Sequence, residues 1–352
     1  MGKCFLIAVI SVFFVKDLRA QKLIFGQVLD GATREPLPYV NVYINNSTLG
    51  TVTNERGEYS LQIPKGRCEL VFSLVGYNSN KLPFSVVDTD TSKLDIKLDP
   101  SKTQLETVHI RGTTDKEWEK LIKQFNRIFL GSTRSASNCI IKNAWCVDLE
   151  SLRIEGKKVL TARASQPLQI ENLSLGYKIN YELQKFAATE ENERFSGNVF
   201  FVELQPTDAG QAQTWGKNRD DSYKGSLRHL FNSMLTKQVR KEGFVLSKCS
   251  LSSDNKVQDI ASYDPASIRI DSLKDGLRIW LPNAIQISYE NHSVSGSNLV
   301  GNIFQNKGYI DIDNRGMLLD PLALVITGYL GEFRVANLLP DDYQPDVSET
   351  KD

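Results

Sequence analysis

Hydrophobic and polar residues alternate with a period of two along much of this chain, and the alternation is plainest near the amino terminus. Val40, Val42 and Ile44 alternate with Asn41, Tyr43 and Asn45, which predicts a strand with one face buried. Asp30-Gly31 and Pro36/Pro38 punctuate the chain before it. After it, Asn54-Glu55-Arg56-Gly57 supplies a polar turn in which Gly57 is free to take positive φ. Tyr59, Leu61 and Ile63 alternate again, Pro64-Lys65-Gly66 turns the chain, and Leu70, Phe72 and Leu74 form the next inward row. Leu94, Ile96 and Leu98 form the last one. Short strands broken this regularly by turns predict a small β-sandwich over residues 21–100.

The pattern then changes. Residues 101–113 read as a linker holding one extended segment, 105–112. Thr114 with Glu117 three residues on makes a capping box. Trp118, Leu121, Ile122, Phe125 and Phe129 follow on one helical stripe that Gly131 ends. Strands are expected from Cys139 to Glu155, then over Leu173–Leu183, with odd positions inward, and over Phe195–Leu204 as its antiparallel neighbour. Residues 205–220 read as a polar loop and 222–241 as a second helix, with Leu227, Leu230, Phe231, Met234, Leu235 and Val239 on one side. Gly243 suits the position past its end. Further strands are expected at Ile268–Ile270, Leu277–Leu281, Ala284–Tyr289, Gly308–Ile312 and Leu324–Arg334. The chain is therefore expected to be mainly β. A larger antiparallel-sheet-rich α+β domain with two main helices, residues 114–343, follows the sandwich, and 344–352 form a flexible tail.

Gly26-x-Val28-x-Asp30, Glu35-Pro36-Leu37, Val40-Asn41-Val42, Thr53-Asn54-x-x-Gly57-x-Tyr59 and Gly76-Tyr77 resemble the carboxypeptidase regulatory-like domain, a transthyretin-like sandwich of about seven strands. The resemblance spans roughly residues 22–99. It implies a fold and an exported location but no chemistry, because such domains accompany peptidases, outer-membrane transporters and surface proteins alike. Residues 105–112 resemble the segment that joins this domain to the plug of outer-membrane transporters, but the remaining 240 or so residues are too few for a plug and a barrel. The whole arrangement resembles a group of exported proteins of Bacteroidetes-type bacteria. Trp118 with Phe125/Phe129, Trp215-x-x-Asn218-Arg219, Tyr223-x-Gly225-Ser226-x-x-His229, Gly243-Phe244 and Leu339-Pro340-x-Asp342-Tyr343 carry that likeness.

Composition adds location. Residues 1–20 carry a short basic start, an apolar run from Cys4 to Val15 and a small residue at Ala20, which predicts an export signal cut before Gln21. That run is shorter than the roughly 20 residues a transmembrane helix needs, so no span is expected in the mature chain. The formal charge is zero, and about −2 without the leader, which excludes the basic footprint of a nucleic-acid binder. Export to the periplasm or cell surface of a Gram-negative bacterium permits disulfides. Among Cys68, Cys139, Cys146 and Cys249, proximity favours pairing Cys139 with Cys146.

Candidate chemistry is sparse. The three histidines, His109, His229 and His292, form no HExxH or HxxE pattern, so neither a metal nor a cofactor is expected. Ser226 and His229 stand three apart on the second expected helix and are the candidates for a nucleophile and base, without a nucleophile elbow or a convincing orienting acid. Trp215, Asn218, Arg219 and Tyr223 gather an aromatic, an amide and a guanidinium beside a polar loop, a set suited to a sugar or a peptide terminus. The favoured reading is a non-enzymatic envelope protein, a spacer or docking sandwich joined to a domain that binds a glycan, a peptide or an envelope protein. The alternatives are an envelope hydrolase, peptidase or glycosidase, with a site assembled in the second domain, and an accessory subunit of an outer-membrane transport complex.

Overall fold

A computed structural model describes residues 21–86, 91–101, 115–190, 192–251, 257–274, 276–290, 298–305, 307–313, 315–320 and 323–345. The expected leader, the extended segment 105–112 with His109, the helix start at Thr114, His292 and most of the tail lie outside these residues. Among the described residues the chain is mainly β, as the alternation predicts, and no helix is long and apolar enough to cross a membrane.

The first unit is a sandwich. Its strands are β1 (Gln21–Asp30), β2 (Asn41–Ile44), β3 (Gly50–Val52), β4 (Glu58–Pro64), β5 (Gly66–Ser73), β6 (Asn80–Val86), β7 (Ser92–Lys93) and β8 (Ile96–Leu98). One sheet runs β4-β1 with β7 and β8 both parallel to β1, and the other runs β3-β2-β5-β6. The two short strands together occupy the seventh position. They part at Leu94-Asp95, where Asp95 Oδ1 accepts from the Gln27 amide at 3.0 Å. Ile24, Val28, Val40, Val42, Ile63, Leu70 and Phe72 are wholly buried between the sheets.

The second unit is helix α1 (Asp115–Leu130) against six strands, β9 (Cys139–Ile141), β10 (Val147–Ile154), β11 (Lys157–Ala164), β12 (Leu168–Asn172), β13 (Tyr177–Ala188) and β14 (Glu193–Glu203), in the order β10-β11-β13-β12-β9 with β14 on the other side of β13. The expected stripe Leu121, Ile122, Phe125 and Phe129 is buried on this sheet. Phe125 stacks on Phe129 at 4.9 Å, and Trp118 donates to the Val147 carbonyl at 3.1 Å. The strand expected over Leu173–Leu183 instead begins at Tyr177. Asn172 Oδ1 accepts from the Ser174 and Leu175 amides, and Gly176 takes a φ of +70°, so residues 173–176 are a turn. The expected Cys139–Cys146 pair is a correction. Both are free thiols buried in this core, and burial pushes the Cys139 thiol up to about 12.

A third core gathers α3 (Leu227–Leu235), preceded by α2 (Ala209–Tyr223), with strands β15 (Phe244–Leu251), β16 (Val257–Ser262), β17 (Arg269–Leu273), β18 (Gly276–Trp280), β19 (Ala284–Glu290), β20 (Asn298–Phe304), β21 (Tyr309–Ile312) and β22 (Val325–Gly328). They form two sheets, β16-β15-β19-β20-β22 and β17-β18-β21. The polar loop expected over 205–220 is mostly helix α2, and the helix expected over 222–241 is shorter than expected, α3 at Leu227–Leu235, with Leu230, Phe231 and Met234 buried as the pattern predicts. α2 ends at Tyr223, Gly225 takes a φ of +76°, and Ser226 caps α3 by accepting from the His229 amide at 3.2 Å. The strand expected over Leu324–Arg334 is β22 followed by a 3₁₀ turn, Tyr329–Glu332.

The three units are bonded to one another. Asn46 and Ser47 pair with β14: the Asn46 amide donates to the Val199 carbonyl at 2.8 Å and the Phe201 amide to the Ser47 carbonyl at 3.0 Å. Tyr43 packs on Phe200 at 5.0 Å, and Ser79 Oγ donates to Glu182 at 2.5 Å. The last described segment then returns across all three units. Asn172 donates to the Ala336 carbonyl at 2.9 Å, the Thr48 amide to Asp342 at 2.9 Å, and Arg228 to the carbonyls of Pro340, Asp341 and Tyr343 at 2.8–3.1 Å. Arg315 reaches the Arg67 carbonyl at 3.2 Å, Asp313 at 2.7 Å and Asp341 at 3.6 Å.

Asp341 is 5% exposed, and its Oδ1 accepts no hydrogen bond. Burial outweighs the attraction of Arg315 and Arg228 and pushes its carboxyl up to about 7, against ~3.9 in an unfolded chain. A carboxyl raised in this way favours the fold fully below the unfolded value, and the contribution is lost as pH rises through the folded one. Asp341→Asn should therefore change the thermal midpoint more favourably at pH ~8 than at pH ~5; a difference from the parent that does not vary with pH would contradict this. Arg315→Leu should cost about 3 kcal/mol by denaturant unfolding, and at least about 1 kcal/mol less when Asp341 is already Asn.

Candidate functional site

The residues singled out by sequence occupy the region between the second and third cores. Asp208 caps α2 by accepting from the Gln211 amide at 2.8 Å. Trp215, Asn218 and Arg219 are spaced to share one helix face, and that face lies on the turn between β12 and β13. Trp215 Nε1 donates to the Leu173 carbonyl at 2.9 Å, Asn218 to that of Ser174 at 2.8 Å, and Arg219 Nε to that of Leu175 at 2.7 Å. Arg219 also pairs with Glu203 at 3.2 Å and lies 4.1 Å over the Tyr177 ring. A side chain at Gly176 would strike the Trp215 ring. Tyr223, on the last turn of α2, accepts from Asn232 at 3.1 Å. The structure thus brings Trp215, Asn218 and Arg219 together, with their donors directed at the chain's own carbonyls.

Ser226 and His229 are adjacent, but through the backbone: Ser226 Oγ serves the His229 amide. The imidazole, 8% exposed, accepts the Gly225 N–H at Nδ1, 3.1 Å, which leaves Nε2 to donate to Glu242 at 3.1 Å. Tyr223, Phe244 and Tyr289 surround the ring at 4.9–5.8 Å. Burial holds the imidazole below the usual histidine range despite the opposing pull of Glu242. Asp220, one of the acids near the helix in sequence, instead accepts from the Tyr343 hydroxyl. Among the described residues no group of three His, Cys, Asp or Glu side chains is placed to hold a metal ion.

The arrangement with most recognition chemistry lies elsewhere, on β17-β18-β21. Arg269 stands opposite Trp280, and Trp280 opposite Tyr309. In the next outward row Asp271 stands opposite Arg278, and Arg278 opposite Asp311. Directly opposed residues share a sheet face, so six aromatic and charged side chains form one platform. Between them Ile270, Ile279 and Ile310 point to the third core. Arg269 grips Asp271 through two bonds of 2.7 and 2.8 Å, and Arg278 grips Asp311 through two of 2.7 and 2.9 Å. Trp280 Nε1 donates to Asp271 at 2.7 Å. The Arg278 guanidinium lies 3.8 Å over the Tyr309 ring, and the Trp280 and Tyr309 rings are 5.3 Å apart. Hydrogen bonds from Arg269 first, then from Trp280, hold the Asp271 carboxyl below the usual range. The signal was in the sequence as three short alternations, Arg269-Ile270-Asp271, Arg278-Ile279-Trp280 and Tyr309-Ile310-Asp311. Their common face becomes visible only with the pairing register.

The two arginines and two aspartates of the platform cancel in charge, and every guanidinium and carboxylate is fixed by a partner. Such a face offers two aromatic rings, each flanked by a guanidinium (Arg278 over Tyr309, and Arg269 5.2 Å from the Trp280 ring centre), beside rigid planar donors and acceptors. It can stack on the C–H face of a sugar ring and hydrogen-bond the hydroxyls around it.

Comparison with known proteins identifies the first unit. Residues 24–110 match the CarboxypepD_reg-like domain family. A TonB-dependent receptor of Formosa agariphila is 36% identical over 78 residues, covering 22% of this chain and 7% of the receptor. TonB-dependent receptor SusC of Bacteroides thetaiotaomicron is 29% identical over 100 residues, covering 27% of this chain and 10% of the receptor. The chain therefore spans a tenth or less of the length of these curated relatives. Among solved structures, the 5-hydroxyisourate hydrolase of Klebsiella pneumoniae aligns over 23% of this chain and 91% of its own at 18% identity and a TM-score of 0.20. A DUF3823 family protein of Parabacteroides merdae aligns over 55% and 83% at 10% identity and a TM-score of 0.19. Neither likeness bears on what this chain binds. Residues 24–110 are a CarboxypepD_reg-like domain, and the region that carries the platform lies beyond it.

Proposed function

We propose that this is an exported, non-enzymatic protein of the bacterial envelope that binds a neutral saccharide on the β17-β18-β21 platform. The platform itself carries the reading: two aromatic rings and two arginine–carboxylate forks on one sheet face, with no net charge. A neutral face discriminates against ions and favours a ligand with an apolar side and a rim of hydroxyls. The sandwich serves as a docking or spacing module, held firmly against the second unit through Asn46, Ser47 and Phe201. The presence of related segments in TonB-dependent receptors is consistent with an envelope setting. Trp215, Asn218 and Arg219 support the scaffold in this reading, since their donors hold the β12–β13 turn.

The test is affinity electrophoresis of the purified chain through gels containing neutral polysaccharides such as xylan, mannan or laminarin. One of them should retard the parent protein, and Trp280→Ala or Tyr309→Ala should weaken that retardation by about tenfold. Trp215→Ala should lower the thermal midpoint instead, leaving the affinity of the folded fraction intact. Binding that survives both platform substitutions would overturn the assignment, as would a parent chain retained by none of the gels.

A further inference from the structure

A second surface, on the outer face of the middle sheet, has a different chemical character. β11 pairs with β13 only at Leu160–Ala188 and Thr161–Ala187, and β12 pairs with the other end of β13. Between these pairings β11 departs from β13, and a groove of about 520 Å³ opens there. Arg163, Lys185, Arg194, Gln184, Ser196 and Glu150 are among its lining residues.

A bulge builds this lining. The β13–β14 register shifts between Leu183 and Lys185. Before the shift the odd positions Ile179 and Tyr181 are buried, and after it the even positions Phe186 and Ala188 are. Gln184 and Lys185 are both exposed, so the extra residue doubles the polar groups that strand presents to the groove. The sandwich covers the preceding part of this face, where Ser79 meets Glu182 and Tyr43 meets Phe200. The basic part stays open.

Arg163, Lys185 and Arg194 are exposed, and among the described residues none has an ion pair or hydrogen bond through its side chain. Arg163 makes no ion pair even with Asp148, its cross-strand neighbour on β10. Elsewhere the interfacial and platform arginines 219, 228, 269, 278, 315 and 334 all have partners. Three cations on three different strands stand against two carboxylates, Glu150 in the lining and Asp148 opposite Arg163, and none is paired with either among the described residues. Thr161 stands two inter-strand steps from Arg194, and Arg163 lies two residues beyond it on the diverging strand, so the two arginines are set more than ~11 Å apart along the groove.

We propose that this groove binds an acidic polysaccharide, one carrying carboxylate or sulfate groups, with Arg163, Lys185 and Arg194 as the charge-reading residues. Charge complementarity supplies the preference for an anion. The donors come from side chains across the sheet face, which suits a polymer lying over the strands. A bound extended peptide would more naturally take a free strand edge. This site is independent of the saccharide platform and does not rest on it.

The chain, the triple variant Arg163→Ala/Lys185→Ala/Arg194→Ala, and Trp280→Ala are compared by calorimetry at about 0.15 M salt. The probes are polygalacturonate, dextran sulfate, neutral dextran and polyglutamate. The parent should bind polygalacturonate or dextran sulfate, and which of the two it prefers distinguishes a carboxylate from a sulfate source. The triple variant should bind at least about tenfold more weakly with an unchanged thermal midpoint, since all three residues are exposed. Trp280→Ala should bind as the parent does, which separates this site from the platform. Equal binding by the triple variant would overturn the proposal, as would polyglutamate bound as tightly as either polysaccharide, or no polyanion bound at all.

Discussion

One guanidinium ties the first unit of this protein to the third and to the returning segment. Arg315 follows the last strand of the β17-β18-β21 sheet, yet it bonds the Arg67 carbonyl in the sandwich and faces Asp341 in the returning terminal segment. Arg228 completes the arrangement by donating to three carbonyls of that segment, those of Pro340, Asp341 and Tyr343. Charges withdrawn from water are tolerated only where partners replace the lost solvation, so the seam can close only in a geometry that serves both arginines. Asp341 is the weak member, with one oxygen left unpartnered and the other at the long distance of 3.6 Å. The relative placement of the three hydrophobic cores is therefore set by directional bonds, while apolar burial stabilises each core from within.

The same rigidity gives two dissimilar surfaces a fixed setting. The platform has paired charges and ordered rings, whereas the groove has free cations at a bulge. Both stand on sheet faces whose opposite sides are buried, Ile279 and Ile310 beneath one and Phe186 beneath the other. Side chains mounted on packed strands lose little further freedom when they meet a ligand, which favours recognition by shape and charge over adjustment of loops.

Much of the fold was legible because alternation and burial coincide. The sandwich strands, the α1 stripe and the antiparallel neighbours β13 and β14 follow directly from where Val, Ile, Leu and Phe recur. α2 was not legible for the same reason. Its contact face is made of Trp215, Asn218 and Arg219, which bond carbonyls, so its amphipathic character is carried by hydrogen bonds and has almost no hydrophobic periodicity. The turn at 173–176 hid inside an alternating run, because Leu175 is buried as a strand residue would be while Asn172 and Gly176 reverse the chain. The platform needed a cross-strand register between segments some thirty residues apart. The groove needed knowledge of a bulge, which changes no residue type and leaves no mark on composition.

The returning terminal segment also orders events in time. Thr48 is bonded to Asp342, which lies 294 residues further along the chain. Domains fold largely as units while synthesis proceeds from the amino terminus, and the sandwich holds its own core from residues before 100. Asn46 and Ser47 can meet β14 as soon as the second unit is made, but Thr48 and the Asn46 carbonyl have no partner until residues 341 and 342 have been added. A chain ending just after Leu339 would contain every described strand and helix and still lack the clasp. The surface of the first unit is thereby finished by residues it does not contain, and Thr48 keeps a backbone donor without that partner in any chain that has not yet reached position 342.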